Sequence, residues 1–245
     1  MSRAYPPRTD AAGFATEAKK HLGQNFLHEK GVIAKIVQAI DPKPGDVVVE
    51  IGPGQGALTF PLLQRHGALT AIEFDRDLHA PLQAAARAHG ALRLVEGDVL
   101  GVDFSALAAE LAPADGRIRL VGNLPYNLSS PILFHALDHA AAVRDMHFML
   151  QKEVVERMAA GPGSKVYGRL SVMLQAYCAV TPLFIVPPGA FRPAPKVDSA
   201  VVRLVPKPPA QVEVADHRTF ANVVRAAFGQ RRKTLRNALQ GVAES

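Results

Sequence analysis

Apolar residues fall along this chain in two alternating rhythms. Val32, Ile33, Ile36, Val37 and Ile40 recur at helical spacing, which predicts a helix over 30–40. Asp41-Pro-Lys-Pro-Gly45 breaks it. Val47, Val48, Val49 and Ile51 then form a short β-branched run. Such a run fits a central parallel strand buried on both faces. The alternation repeats: strands at 69–74, 92–96, 118–122 and 146–150 are interleaved with helices near 57–66, 77–88, 104–111, 131–139 and 153–159. Strands alternating with helices predict βαβ units and an open parallel sheet with helices on both faces.

The rhythm changes near the end. Two strand-like runs, 181–186 and 200–205, have no helix between them, only a Pro-rich connector at 187–196. They are expected to pair antiparallel and close the sheet edge. Lys207-Pro-Pro-Ala-Gln211 reads as a linker, followed by helices at 216–227 and 230–239. The expected fold is therefore α/β: a Rossmann-like sheet, mostly parallel with an antiparallel edge strand, plus a small C-terminal helical domain. The expected divisions are a loose tail at 1–18, a main domain at 19–206 and a small basic domain at 207–245. No internal repeat is visible.

Composition sharpens this picture. With 245 residues, 48% of them hydrophobic, the chain can bury a full core, which excludes disorder for most of its length. A lone cysteine, Cys178, excludes a disulfide framework and a multi-Cys zinc site. No apolar run approaches the roughly 18 residues that span a bilayer, and residues 1–20 carry no signal-type stretch. A soluble cytoplasmic protein is expected. The net charge of +6 only hints at a polyanionic partner. Its distribution says more: residues 31–116 carry net −5, residues 117–212 net +6 and residues 213–245 net +3. The acidic stretch suits a neutral or cationic ligand, and the basic remainder suits a polyanion.

Candidate chemistry begins at Glu50-Ile-Gly52-Pro-Gly54-Gln-Gly56-Ala57, between the first strand and a helix. Glycines there permit a sharp turn and let a ligand approach the backbone. Glu73, at the end of the second strand, can accept hydrogen bonds from two ribose hydroxyls. Asp98, at the end of the third, can accept from an adenine amino group. Glycines plus Glu73 do not separate a nicotinamide enzyme from an S-adenosylmethionine enzyme, because Gly52–Ala57 also fits G-x-G-x-x-A. The extra acids Glu50 and Asp98 favour a ribose-adenine ligand without a pyrophosphate. A negative lining would also suit a sulfonium cation.

Asn123-Leu-Pro-Tyr126-Asn127 follows the fourth strand. An adenine amino nitrogen is a poor nucleophile, because its lone pair is delocalised into the ring. The Asn123 amide oxygen and the carbonyl of Leu124 or Pro125 can accept its two N–H bonds and free that lone pair. Tyr126 offers a face on which the base can stack, worth about 1–3 kcal/mol. The rate gain would come mostly from alignment of nucleophile and methyl group.

Asn123-Leu-Pro-Tyr126 resembles motif IV of the rRNA adenine N6-dimethyltransferases. Gly23-Gln-Asn25-Phe-Leu27 is similar to their N-terminal cofactor motif, and Glu50–Gly56 to their motif I. Phe191-Arg-Pro-Ala-Pro-Lys196-Val-Asp-Ser199 is similar to their Phe-Pro-Pro-Lys-Val segment. The resemblance spans about residues 19–240 and lies nearer the bacterial small-subunit (16S) branch than the macrolide-resistance 23S branch. It implies S-adenosyl-L-methionine contacts at Asn25, Leu27, Gly52, Gly54, Glu73, Phe74, Asp98, Val99 and Asn123, with Phe74 packing on the cofactor adenine. It implies a catalytic set of Asn123, Leu124, Pro125, Tyr126 and Phe191, with Phe191 stacking on the target adenine opposite Tyr126. The implied substrate is 16S rRNA in the immature small subunit, with two methyl groups placed on N6 of each of two adjacent adenosines near its 3′ end. The protein is expected to act as a monomer, without metal or membrane.

The basic C-terminal segment supplies Arg225, Arg231, Arg232, Lys233 and Arg236, to which Lys196 is added as an RNA contact. Leu235 and Leu239 share a face that can pack, while Arg232 and Arg236 share one for phosphates. Relatives usually continue further, so the small domain is expected to be incomplete. A nicotinamide oxidoreductase and a non-catalytic ribosome-assembly factor are the competing readings. His135, His139 and Asp138 have metal-capable spacing but lack a further ligand nearby, and Cys178 reads as a core thiol.

Overall fold

The computed structural model describes residues 14, 24–112, 116–230, 233–240 and 242. The main strands are β2 (Val48–Ile51), β3 (Ala68–Glu73), β4 (Ala91–Glu96), β5 (Ile118–Asn123), β6 (Val143–Gln151), β7 (Cys178–Val186) and β9 (Ser199–Pro206). They form one sheet in the order β4-β3-β2-β5-β6-β9-β7. The first five are parallel, while β9 runs antiparallel to β6, and β7 antiparallel to β9. The antiparallel edge expected from the Pro-rich connector is therefore present. Two short strands, β1 (Phe26–Leu27) and β8 (Phe191–Arg192), make a separate antiparallel pair.

Both faces of the sheet are covered, which is why β2 and β5 carry apolar residues at successive positions, Val48–Val49 and Leu120–Val121, rather than alternating with polar ones. Val48 joins a cluster with Ile36, Val37 and Ile40 of α1 (Lys30–Ile40) and Leu62 and Leu63 of α2 (Thr59–His66). Its neighbour Val49 faces the other way. It packs with Phe104 and Leu107 of α4 (Phe104–Leu111) and with Ile132 and Leu133 of α5 (Ser129–Asp138). Each such aliphatic side chain contributes about 1.5–3 kcal/mol when fully buried. Helix starts follow local chemistry. Glu29 accepts from the N–H groups of Gly31 and Val32 to open α1. Asp75 accepts from Asp77 N–H to open α3 (Arg76–Ala86).

The far end of the sheet carries a buried ionic cluster. Arg119 of β5 lies opposite Asp145 of β6 and donates Nε and NH2 to its two oxygens at 2.9 and 3.0 Å. The same guanidinium meets Asp46 at 2.8 Å and the Ile40 carbonyl at 2.7 Å, tying the end of α1 to the sheet.

Sequence and structure differ in several places. First, β3 ends at Glu73, one residue earlier than expected, which leaves Phe74 outside the sheet and 60% exposed. Second, α7 (Arg169–Tyr177) follows α6 (Lys152–Ala159) as a helix the sequence pattern does not reveal. Third, residues 207–211 are not a free connector: Lys207 bonds the carbonyls of Tyr177 and Gln175 through its N–H and its ammonium. Beyond them, α8 (His217–Gly229) meets α7 and its N-terminal approach through the Tyr177–His217, Tyr177–Phe220 and Tyr167–Phe228 ring contacts. The short α9 (Leu235–Leu239) leaves Leu235 64% exposed, so its apolar side is not packed as expected. Five residues are too few to bury a face.

Candidate active site

Parallel strands bring their carboxyl ends to one side, and there the loops after β2, β3, β4 and β5 surround a cavity of about 230 Å³. All the residues expected to hold the cofactor line it: Asn25, Leu27, Gly52, Gly54, Glu73, Phe74, Asp98, Val99 and Asn123. Asn25 and Leu27 arrive from the N-terminal side because β1 pairs with β8.

The glycine turn is built for close approach. Gly52 and Gly54 have φ of 65° and 57°, a region that favours glycine. A Cβ on Gly52 would meet nothing within 4 Å, whereas one on Gly54 would press the Phe26 ring at 3.3 Å. Gly54 N–H donates to Glu73 Oε2 at 3.1 Å, and Asp75 N–H donates to Oε1 at 2.7 Å. Both carboxylate oxygens are thus held in place, each with a lone pair left for a ribose hydroxyl. Gln24 braces the arrangement by donating to Asp75 at 2.8 Å, a contact the sequence does not announce. Asp98 spends one oxygen on Leu100 N–H. Its other oxygen can take an adenine amino group.

The cavity is less negative than its acid count implies. Glu50 is 2% exposed, and burial pushes its carboxyl up to about 8 despite the Thr59 hydroxyl, which donates to it at 2.7 Å. Glu73 nearby adds like-charge repulsion. Burial also raises Glu73 itself, against the two backbone N–H bonds. Other acids of the −5 stretch are spent elsewhere: Asp41 on Lys43 and Arg65, Asp46 on Arg119, and Glu110 on Arg93. The negative lining expected from the sequence is weakened at Glu50 accordingly.

Around the Asn123 turn, the hydrogen bonds bear on alternatives that the sequence leaves open. Asn123 Nδ2 donates to the Asn25 carbonyl at 3.1 Å, which fixes the amide and leaves Oδ1 as the acceptor. The Pro125 carbonyl already receives Leu128 N–H at 3.0 Å and the Ser129 hydroxyl at 3.2 Å. The Leu124 carbonyl is therefore the available second acceptor. Tyr126 lines the cavity half-buried, and its hydroxyl meets Ser199 Oγ at 2.7 Å. Burial raises its phenol above the ordinary value.

Phe191 departs from expectation. It is 2% exposed, does not line the cavity, and packs with Leu27, Val121, Met149, Val186 and Val201. A ring so enclosed offers no face to a base; here it is a core residue within the β1–β8 pair.

Lys196, Arg225, Lys233 and Arg236 are exposed, while Arg231 and Arg232 lie outside the described residues. His135 bonds the Val102 carbonyl at 2.8 Å, and His139 meets Ser105 Oγ at 2.8 Å. Cys178 is buried, which pushes its thiol up to about 12, as suits a core residue. Among the described residues no helix is long and apolar enough to cross a membrane.

Known proteins share this arrangement. The family model described as ribosomal RNA adenine dimethylase matches residues 15–244. A protein of Xanthomonas axonopodis pv. citri named ribosomal RNA small subunit methyltransferase A is 72% identical over 234 residues, covering 95% of this chain and 87% of that one. A same-named protein of Xanthomonas campestris pv. campestris is 70% identical, with the same coverage. Among solved structures, a dimethyladenosine transferase from Plasmodium falciparum superposes with a TM-score of 0.76 at 30% identity, over 89% of this chain and 77% of that one. The 23S rRNA methyltransferase ErmE superposes with a TM-score of 0.71 at 27% identity, over 88% and 83%. These matches decide against a nicotinamide oxidoreductase. The chain belongs to the ribosomal RNA adenine dimethylase family and is an S-adenosylmethionine-dependent rRNA adenine N6,N6-dimethyltransferase.

Proposed function

We propose that this enzyme acts in the cytoplasm, as a monomer, on 16S rRNA within the immature small ribosomal subunit. It dimethylates N6 of two adjacent adenosines near the 3′ end. The observation that carries the site assignment is the Asn123 amide, locked by its donation to the Asn25 carbonyl. With Nδ2 engaged, Oδ1 accepts one N–H of the target amine, and the Leu124 carbonyl accepts the other. Both bonds favour a pyramidal nitrogen whose lone pair can attack. Tyr126 takes one face of the flipped base, and alignment supplies most of the acceleration.

When bound, S-adenosylmethionine supplies an electrophilic methyl group on a sulfonium. Glu73 would hold its ribose, Asp98 its adenine amino group and exposed Phe74 its adenine face. A general base with a tuned pKa is not required, since the alkylated amine gives up its proton to water.

Asn123→Ala is expected to lower transfer of labelled methyl groups to undermethylated small subunits by about 100-fold or more. The melting temperature should stay near wild type, and cofactor affinity by calorimetry should fall far less than transfer does, since Asn123 is one cofactor contact among several. Transfer at the wild-type rate would overturn the assignment. Mass spectrometry of the product nucleotides reads the target positions, and label outside the small-subunit RNA would overturn the substrate reading.

A further inference from the structure

The Tyr126 ring stands on a three-residue turn, Tyr126–Leu128, that has no side-chain cap. The Pro125 carbonyl bonds to Leu128 and Ser129 hold the turn's backbone but not the ring. The ring's polar anchor is Ser199 Oγ, 2.7 Å from the phenolic oxygen and 73 residues away in sequence. Ser199 is a rigid post. It is fully buried, and it opens β9 between Gln151 of β6 and Val186 of β7. With Phe191 enclosed in the core and Phe74 read as packing on the cofactor adenine, Tyr126 is an aromatic face the cavity offers to a base.

We infer that Ser199 is a positioning residue whose hydroxyl fixes the Tyr126 ring and thereby keeps one adenine in the site through both methyl transfers. This rests on the reading that Tyr126 takes the target base. The second transfer needs it most. After the first methyl group, the nitrogen carries one N–H fewer for Asn123 and Leu124 to hold. Stacking on a fixed ring then bears a larger share of the alignment. A ring free to swing would release the monomethylated base before it reacts again.

The test compares Ser199→Ala, Tyr126→Phe, the double variant and Tyr126→Ala in the full-length protein, with S-adenosylmethionine and undermethylated small subunits. Each single hydroxyl deletion should slow single-turnover transfer by about five- to tenfold, the scale of one lost hydrogen bond. Each should also raise the ratio of monomethyl- to dimethyladenine several-fold at equal total methyl transfer, a ratio that a partly unfolded population would not change. The double variant should be no worse than either single one. A wild-type product ratio in both Ser199→Ala and Tyr126→Phe, or effects that multiply in the double variant, would overturn the role of Ser199. If Tyr126→Phe folds where Ser199→Ala does not, its ratio alone decides. Tyr126→Ala separates the two levels of the argument. Wild-type transfer there would sink the stacking reading itself, whereas slow transfer with normal Ser199→Ala would sink only the positioning role.

Discussion

At pH 7 the Glu50 carboxyl keeps its proton, because burial lifts its pKa to about 8 against the pull of the Thr59 hydroxyl. An acid whose folded pKa lies above its unfolded value costs stability as pH rises between the two. Below the ordinary value of 4.5 both states are protonated and the cost vanishes; above about 8 it is complete. Wild-type stability should therefore fall between pH 5 and 8.5. Glu50→Gln should escape this loss, gaining about 2–4 kcal/mol on wild type across that window. Urea unfolding at both pH values measures it. Glu73 contributes its own slope to both proteins, so the difference between them isolates Glu50. Curves that move in parallel would refute a protonated Glu50. The window is distinct from the acid limb governed by Asp145. Burial would raise that carboxyl, but His147 and Arg119 beside it hold it at about 2, so its contribution is lost only as pH falls towards that value.

The β1–β8 pair shows how an element can carry a signature for a reason other than the expected one. Phe191 stands in a motif that implies base stacking, yet Leu27 pairs with it and the core encloses it. Phe191→Ala should then cost about 3–5 kcal/mol of stability, lowering the melting temperature by about 6–20 °C. Phe191→Leu should recover most of both stability and methyl transfer, since an aliphatic side chain can fill the space but cannot stack. Normal melting of Phe191→Leu with transfer still lost would return the residue to the base. The parallel strands were legible because each is an apolar run with a helical period after it. The cofactor cavity was legible because glycines and acids at strand ends are local patterns. The helix α7 was not: in Arg-Leu-Ser-Val-Met-Leu-Gln-Ala-Tyr the buried set includes Ser171, which donates to the Arg157 carbonyl, so no clean stripe marks it. Gln24 and Ser199 were silent for another reason. Their partners lie 51 and 73 residues away, and only the folded sheet edge brings them together.

Charge is the property of the whole molecule that most directly bears on its substrate. In the acidic stretch, Lys43, Arg65 and Arg93 face carboxylates, and Asp46 takes Arg119 from just beyond it. In the basic remainder, Lys165, Arg192, Lys196, Arg225, Lys233 and Arg236 have no ion-pair partner among the described residues and are exposed. The net +6 thus leaves a set of exposed cations in the basic remainder open to phosphate. Binding to small subunits should weaken steeply as salt rises, because each phosphate contact releases counterions. Cofactor binding should change little, since Glu73 and Asp98 act through short hydrogen bonds. Neutralising Lys196, Arg225 or Arg236 to Gln should each lower the slope of log K against log salt by about one if that residue touches phosphate. Filter binding across a salt series, with calorimetry of the cofactor alongside, reads both quantities. A slope unchanged in all three variants would move the RNA contact to other exposed cations, such as Lys165 and Arg192.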